Sequence, residues 1–229
     1  MPVTTAVFDA YGTLFDVAAA ARAAAEEPGY ENLAACWQKL AENWRLKQLQ
    51  YTWLRTVADA HGDFWDITQD GLDWALEAHG LSGHAALRER LLALYQELAA
   101  YAEVPLVLRA LKDAGFNTAI LSNGAPAMLA GAVQAAGVGA VLDAVLSVAD
   151  AGVFKPHRFV YDLVGKRFGC VPGEVLFVSS NGWDAAAAGY GFHAAWVNRT
   201  GEPMDRLPWT PHVVVSDLTP IPDIARSVP

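Results

Sequence analysis

The residues best suited to chemistry in this chain stand just beyond short apolar runs. Asp9 follows the run at residues 4–8, Ser122 and Asn123 follow residues 117–121, and Ser179 and Asn181 follow residues 174–178. A carboxylate such as Asp9 displaces a leaving group from carbon when it is ionised, partly desolvated and aligned behind the bond that breaks. Gly12 permits a turn after it, and the Thr13 hydroxyl is placed either to fix that carboxylate or to cap a following helix.

Something must bring these groups together, and the alternation of patterns along the chain says what. Residues 4–8 read as a buried strand. From Val17 to Tyr101 strand signals are scarce and helical spacing takes over, with an Ala-rich segment to Glu27, a long segment over 33–60, another over 68–79 stopped by Gly80, and a fourth over 83–101. Leu33, Trp37, Leu40 and Trp44 form an apolar stripe typical of a packed helix. After Glu103 helix and strand alternate: helix from Pro105 to Ala114, strand 117–121, helix 126–136, strand 144–147, helix 158–168, and strands 174–178, 192–197 and 212–215. Such alternation predicts an α/β fold, a Rossmann-like parallel sheet covered by helices. The expected core spans residues 1–15 and 102–229, with residues 16–101 inserted as a helical cap domain. In open parallel sheets ligands bind beyond the carboxyl ends of the strands, the edge to which three strands here deliver polar groups.

The segment Phe8-Asp9-Ala10-Tyr11-Gly12-Thr13-Leu14 resembles the first motif of the haloacid dehalogenase superfamily, in which the leading aspartate is a covalent nucleophile. Trp44-Arg45-Leu46-Lys47-Gln48, Ser122-Asn123-Gly124, Val153-Phe154-Lys155-Pro156 and the stretch from Phe177 to Asp184 resemble, in order, the later motifs of the (S)-2-haloacid dehalogenases. The resemblance implies hydrolysis of short (S)-2-haloalkanoic acids to (R)-2-hydroxyalkanoic acids through an ester on Asp9. It implies that Ser122 and backbone amides near Tyr11 and Asn123 hold the substrate carboxylate, that Lys155 neutralises charge around Asp9, and that Arg45 with Asn123 receives the halide. Ser179, Asn181 and Asp184 would position the hydrolytic water, Tyr161 would lie near the site, and Leu49, Phe64 and Trp183 would wall the substrate's alkyl group and halogen. Apart from the resemblance, Lys155 reads equally as a surface lysine, Arg45 as a solvated charge on a helix, Asp184 as half of a buried structural ion pair and Tyr161 as packing. Ala10 and Leu46 depart from some relatives, which leaves the width of the pocket open.

Phosphatases of this superfamily carry a second aspartate two positions after the nucleophile, where this chain has Tyr11, and extra acidic ligands for Mg²⁺ in the last motif, where it has Ser179, Ser180 and Asn181 before Asp184. Catalysis without metal or cofactor is therefore expected. Asp9 and Asp184 against Lys155 and Arg45 suit a monoanionic substrate better than a phosphate dianion. A carboxylate-substrate hydrolase opening a strained ring imino acid, a phosphatase, and a silent binding module on the same fold remain as alternatives.

Composition narrows the rest. A hydrophobic fraction of 53% with 18% charged residues is too apolar for disorder. The net charge of −9 argues against a nucleic-acid partner. The first apolar stretch has no basic flank and no segment offers an uninterrupted membrane span, so a cytoplasmic protein without a membrane partner is expected, with the small-molecule haloacid and its halide as ligands. Cys36 and Cys170 have no metal-ligand spacing. The aromatic-rich helices suggest a homodimer. Gly189-Tyr190-Gly191-Phe192-His193-Ala194 fits a loose dinucleotide fingerprint but precedes a strand, and is read as a turn between elements.

Overall fold

The computed structural model describes residues 1–228. Its centre is a short strand of Thr, Ala, Val and Phe: β1 (Thr5–Phe8) is buried along its whole length, as a parallel strand covered on both faces must be. It pairs in parallel with β2 (Asn117–Ser122) on one side and β4 (Val175–Ser179) on the other, with Phe8 level with both Ile120 and Val178. β3 (Ala144–Ser147), β5 (His193–Val197) and β6 (Val213–Val215) complete a six-stranded, all-parallel sheet in the order β3-β2-β1-β4-β5-β6. The strand order reverses between β1 and β4, and the crevice beyond their carboxyl ends is where such a sheet receives a ligand. α6 (Val104–Asp113), α7 (Pro126–Ala135), α8 (Arg158–Phe168), α9 (Ala186–Tyr190) and α10 (Ile221–Ser227) belong to the alternating part of the chain.

Between β1 and α6 the chain contains five helices and no strand: α1 (Ala19–Ala25), α2 (Glu31–Ala34), α3 (Trp37–Val57), α4 (Phe64–Ala78) and α5 (Ala85–Gln96). The expected single helix over 33–60 is two, because Cys36 takes an extended φ of −142° and interrupts the ladder before α3. α4 starts four residues before the expected Thr68, since the Asp63 carboxylate accepts the Trp65 amide and caps the helix there. α5 ends five residues before Tyr101. Residues beyond it are extended because they pair with the segment leaving β1: Phe15 bridges Ala100, the Asp16 amide donates to the Ala99 carbonyl, and the Tyr101 amide to the Leu14 carbonyl. The two strands of chain leading into and out of the helical block are thus tied to each other.

α3 and α4 pack along each other, as do α1 and α5. Leu33, Leu40 and Trp44 of the expected stripe are buried, and Trp37 is half-buried against the core. The Gly189–Ala194 segment is the end of α9, a turn and the start of β5, with no helix opening after it. No helix among the described residues is long and apolar enough to cross a membrane.

Candidate active site

Asp9 sits one residue past β1, its amide donating to the Val178 carbonyl at the end of β4, and its side chain is 7% exposed. A carboxylate buried to this degree must be met by donors or counter-charges. Asp9 has three: the Lys155 ammonium donates to Oδ1 at 2.9 Å, and the Thr13 hydroxyl and Asn181 amide donate to Oδ2 at 3.1 and 3.0 Å. The turn that brings Thr13 back toward Asp9 passes through Gly12 at φ +88°, where a Cβ would lie 2.9 Å from Ser180 Oγ. Thr13 Oγ1 accepts the Ser180 amide at 2.8 Å and faces two acceptors for its proton, the charged Asp9 Oδ2 at 3.1 Å and the Ser180 hydroxyl at 3.2 Å.

Lys155 arrives from the loop before α8 and is almost wholly buried. Its ammonium spans two carboxylates, Asp9 and Asp184 Oδ2, each at 2.9 Å, and lies 5.0 Å from the centre of the Phe177 ring. Burial alone would pull the pKa of Lys155 down, but Asp184 and Asp9 outweigh it and hold the ammonium above the ordinary lysine value. Burial pushes the Asp184 carboxyl above the usual aspartate range against the opposing pull of Lys155. The other Asp184 oxygen accepts the Tyr161 hydroxyl at 2.7 Å, and burial followed by that carboxylate drives the phenol far above its usual value. Tyr161 therefore remains a donor at any working pH and orients Asp184. Lys155 is held in turn from the β2 end: its backbone amide donates to Asn123 Oδ1 at 2.9 Å.

The helical block contributes Arg45 from α3. Its Nη2 donates to the Tyr11 carbonyl at 3.1 Å and to Asn181 Oδ1 at 3.3 Å, while Nη1 donates to Gln48 Oε1 at 2.8 Å. The same Asn181 that contacts Asp9 with its nitrogen thus contacts Arg45 with its oxygen. Leu49 lies one turn beyond Arg45 and is buried. Tyr11 stacks on Tyr95 with ring centres 5.7 Å apart and lies 6.1 Å from Phe64. Its hydroxyl is buried without a hydrogen-bond partner. Gly124 lets that ring pass, since a Cβ there would come within 2.7 Å of Tyr11 Cε2. Trp183 meets Trp53 of α3 edge-on at 5.5 Å, and its indole N–H is likewise buried and unpaired.

The residues expected from sequence fall into two groups. Thr13, Lys155 and Asn181 touch Asp9 directly. Asp184 and Tyr161 reach it through Lys155, Arg45 and Ser179 through Asn181: the Ser179 hydroxyl accepts the Asn181 amide at 3.1 Å and its side-chain nitrogen at 3.4 Å. Ser122 makes no hydrogen bond to Asp9 among the described residues; its hydroxyl accepts the Gly124 amide at 3.1 Å at the end of β2. Arg45 hydrogen-bonds Asn181, whereas Asn123 is spent on the Lys155 backbone through its oxygen. Sequence reasoning missed Ser180, which sets Thr13, and Gln48, which holds Arg45. Gln48 had a signal, a polar residue in register with Leu40 and Trp44 on a buried helix face. Among the described residues no group of three or more His, Cys, Asp or Glu side chains is arranged to hold a metal ion.

A family model described as haloacid dehalogenase-like hydrolase matches residues 3–190. The chain is 43% identical over 205 residues to (S)-2-haloacid dehalogenase 1 of Pseudomonas sp. (strain CBS-3), an alignment covering 89% of this chain and 88% of that protein. It is 42% identical over 198 residues to (S)-2-haloacid dehalogenase 4A of Burkholderia cepacia, covering 86% and 84%. Among solved structures, the L-2-haloacid dehalogenase from Xanthobacter autotrophicus with chloropropionic acid covalently bound matches with a TM-score of 0.87 at 35% identity, covering 99% of this chain and all of that one.

Proposed function

The chain belongs to the haloacid dehalogenase-like hydrolases, and from that premise we propose that it hydrolyses short (S)-2-haloalkanoic acids to (R)-2-hydroxyalkanoic acids through a covalent ester on Asp9. In the first step an Asp9 oxygen bonds to the substrate's α carbon from behind the carbon–halogen bond, and the halide departs with the bonding electrons, inverting the carbon. In the second, water attacks the Asp9 carboxyl carbon, the bond between that carbon and the ester oxygen breaks, and the hydroxyacid leaves with a proton. The enzyme's carboxylate is restored carrying one oxygen from water.

Each neighbour has a role consistent with its position. Thr13 and Asn181 orient the nucleophile, and holding the reacting atoms in line removes much of the entropic barrier. Lys155 stabilises negative charge as water adds to the ester. Asp184, whose carboxyl is pushed up by burial, is suited to take the water's proton. Ser179 acts through Asn181. Arg45 meets the departing halide, while Ser122, with backbone amides near Tyr11 and Asn123, receives the substrate carboxylate. Leu49, Phe64 and Trp183 form the apolar wall. Residues 16–101 act as a cap domain over a core of residues 1–15 and 102–229, closing the crevice and supplying Arg45.

The observation that carries this reading is the single buried lysine spanning Asp9 and Asp184. The fixed ammonium places a positive charge against the nucleophile, Tyr11 stands where the superfamily's phosphatases carry a second aspartate, and the stretch from Ser179 to Asn181 stands where they carry acidic metal ligands. A homodimer in the cytoplasm fits a surface in which Leu46, Leu54 and Val57 project from α3 into solvent, together with two unpaired cysteines. The decisive experiment is a single turnover of (S)-2-chloropropanoate in ¹⁸O-water, followed by the mass of the peptide containing Asp9. One label at Asp9 is expected; turnover with the label only in the product overturns the mechanism.

A further inference from the structure

Gln48 is fully buried in the stripe of α3, and a buried amide is tolerated only when both its oxygen and its nitrogen find partners. Its Oε1 accepts from Arg45 Nη1 at 2.8 Å and from the Tyr95 hydroxyl at 3.3 Å. Its Nε2 donates to Thr68 Oγ1 at 2.7 Å and lies 3.2 Å from the same Tyr95 hydroxyl. Thr68 decides which way round the amide stands. The Thr68 hydroxyl gives its one proton to the Phe64 carbonyl at 2.7 Å, so it can only accept from Gln48. The nitrogen must face Thr68, and the oxygen must face Arg45. A chain of hydrogen bonds thereby runs from the first turn of α4 to the guanidinium at the site.

We propose that Gln48 is a positioning residue for Arg45, holding the guanidinium by a neutral acceptor so that its whole charge stays available to the leaving halide. A carboxylate here would hold the guanidinium equally well but pair with its charge. An apolar side chain would leave Nη1 without its partner and free the guanidinium to swing. The inference rests on the reading of Arg45 as the group that meets the halide. It gives a purpose to the one amide in a stripe that packing alone would fill with leucine.

The test compares Gln48→Met and Gln48→Glu with the unmodified protein on (S)-2-chloropropanoate and (S)-2-bromopropanoate, together with inhibition by added chloride and bromide. For Gln48→Met, kcat is expected to fall by roughly tenfold or more, the scale of a lost hydrogen bond to a charged group. The fall should be larger for chloride, the poorer leaving group. The halide inhibition constant should weaken in parallel while KM for the acid moves less. Gln48→Glu should be at least as impaired at mildly alkaline pH and recover on acidification, as the new carboxyl becomes a neutral acceptor, whereas Gln48→Met shows no such recovery. Thr68→Val keeps the glutamine but removes the acceptor that orients it, and should show the same halide-selective loss, with Thr68→Ser close to the unmodified protein. A chloride-to-bromide ratio and halide inhibition within about twofold of the unmodified protein in these variants would overturn the proposal, as would an equal loss on both substrates. Failure of the unmodified protein to release halide from any 2-haloacid would overturn the function itself, a result distinguishable because it precedes any variant.

Discussion

Replacing Lys155 with methionine removes the cation between Asp9 and Asp184 and leaves two carboxylates buried with no charge between them. Taking one partner from a buried ion pair costs about 3–5 kcal/mol. Proton uptake sets a ceiling on the loss. Asp184 already has its pKa raised by burial, and without Lys155 nothing comparable pulls it down. An unfolded aspartate titrates near 4, so holding a proton on Asp184 in the folded variant costs about 1.4 kcal/mol for each pH unit above that, about 5.5 kcal/mol at pH 8 and about 1.5 kcal/mol at pH 5. The sign follows from the direction of the shift. A carboxyl raised in the folded state destabilises it fully above the folded pKa, and the penalty disappears as pH falls toward the unfolded value. The loss relative to the unmodified protein should therefore be about 3–5 kcal/mol at pH 8, roughly 6–20 °C in Tm, and shrink below about 2 kcal/mol at pH 5. Lys155 itself is raised, so its own contribution in the unmodified protein persists through neutral pH and disappears only as pH climbs past the ordinary lysine value. Denaturant melts of both proteins at several pH values read the difference directly. A difference that stays constant between pH 5 and about 9, or grows on acidification, would refute the reasoning that the ammonium neutralises these carboxylates. Halide release by the variant should drop by about a hundredfold or more even where it is folded.

The surroundings of Asp9 and the joint between the helical block and the sheet are open to smaller perturbations. Activity should be indifferent to EDTA, because Tyr11, Ser180 and Asn181 stand beside Asp9 where a magnesium site needs further carboxylates; loss with EDTA that magnesium restores would contradict this. Gly124→Ala places a methyl against the Tyr11 ring and should cost about 1–3 kcal/mol, with a fall in kcat/KM measured alongside the melt. Arg199 donates to the Thr13 carbonyl at 3.1 Å, lies 3.8 Å from the centre of the Tyr101 ring and pairs with Glu103 at 2.7 Å, joining the chain that enters the helical block to the chain that leaves it. Arg199→Ala should lower stability by about 2 kcal/mol, roughly 4–8 °C in Tm, and an unchanged melting curve would show that this clamp carries no weight.

The parallel sheet was legible because its strands are short apolar runs that each end at a polar residue, and burial on both faces leaves no other reading of residues 5–8 or 175–179. The helical ends were less so. The extended segment at Ala99 to Tyr101 has a composition that suits a helix, and only its pairing with Leu14 and Asp16, more than eighty residues earlier, makes it extended. Local pattern cannot carry that information. The same limit separates the two halves of the site. Asp9, Thr13 and Asn181 follow from strand ends that the topology places side by side, so their convergence could be read from the order of elements. Arg45 could be named only from its motif, and its supports belong to other helices: Gln48 is one turn away, but Thr68 and Tyr95, which decide where the amide points, lie on α4 and α5. A polar side chain interrupting an apolar helical stripe is costly unless something satisfies it. Such an interruption beside a charged residue is the sequence-level trace of a network whose members only the fold can identify.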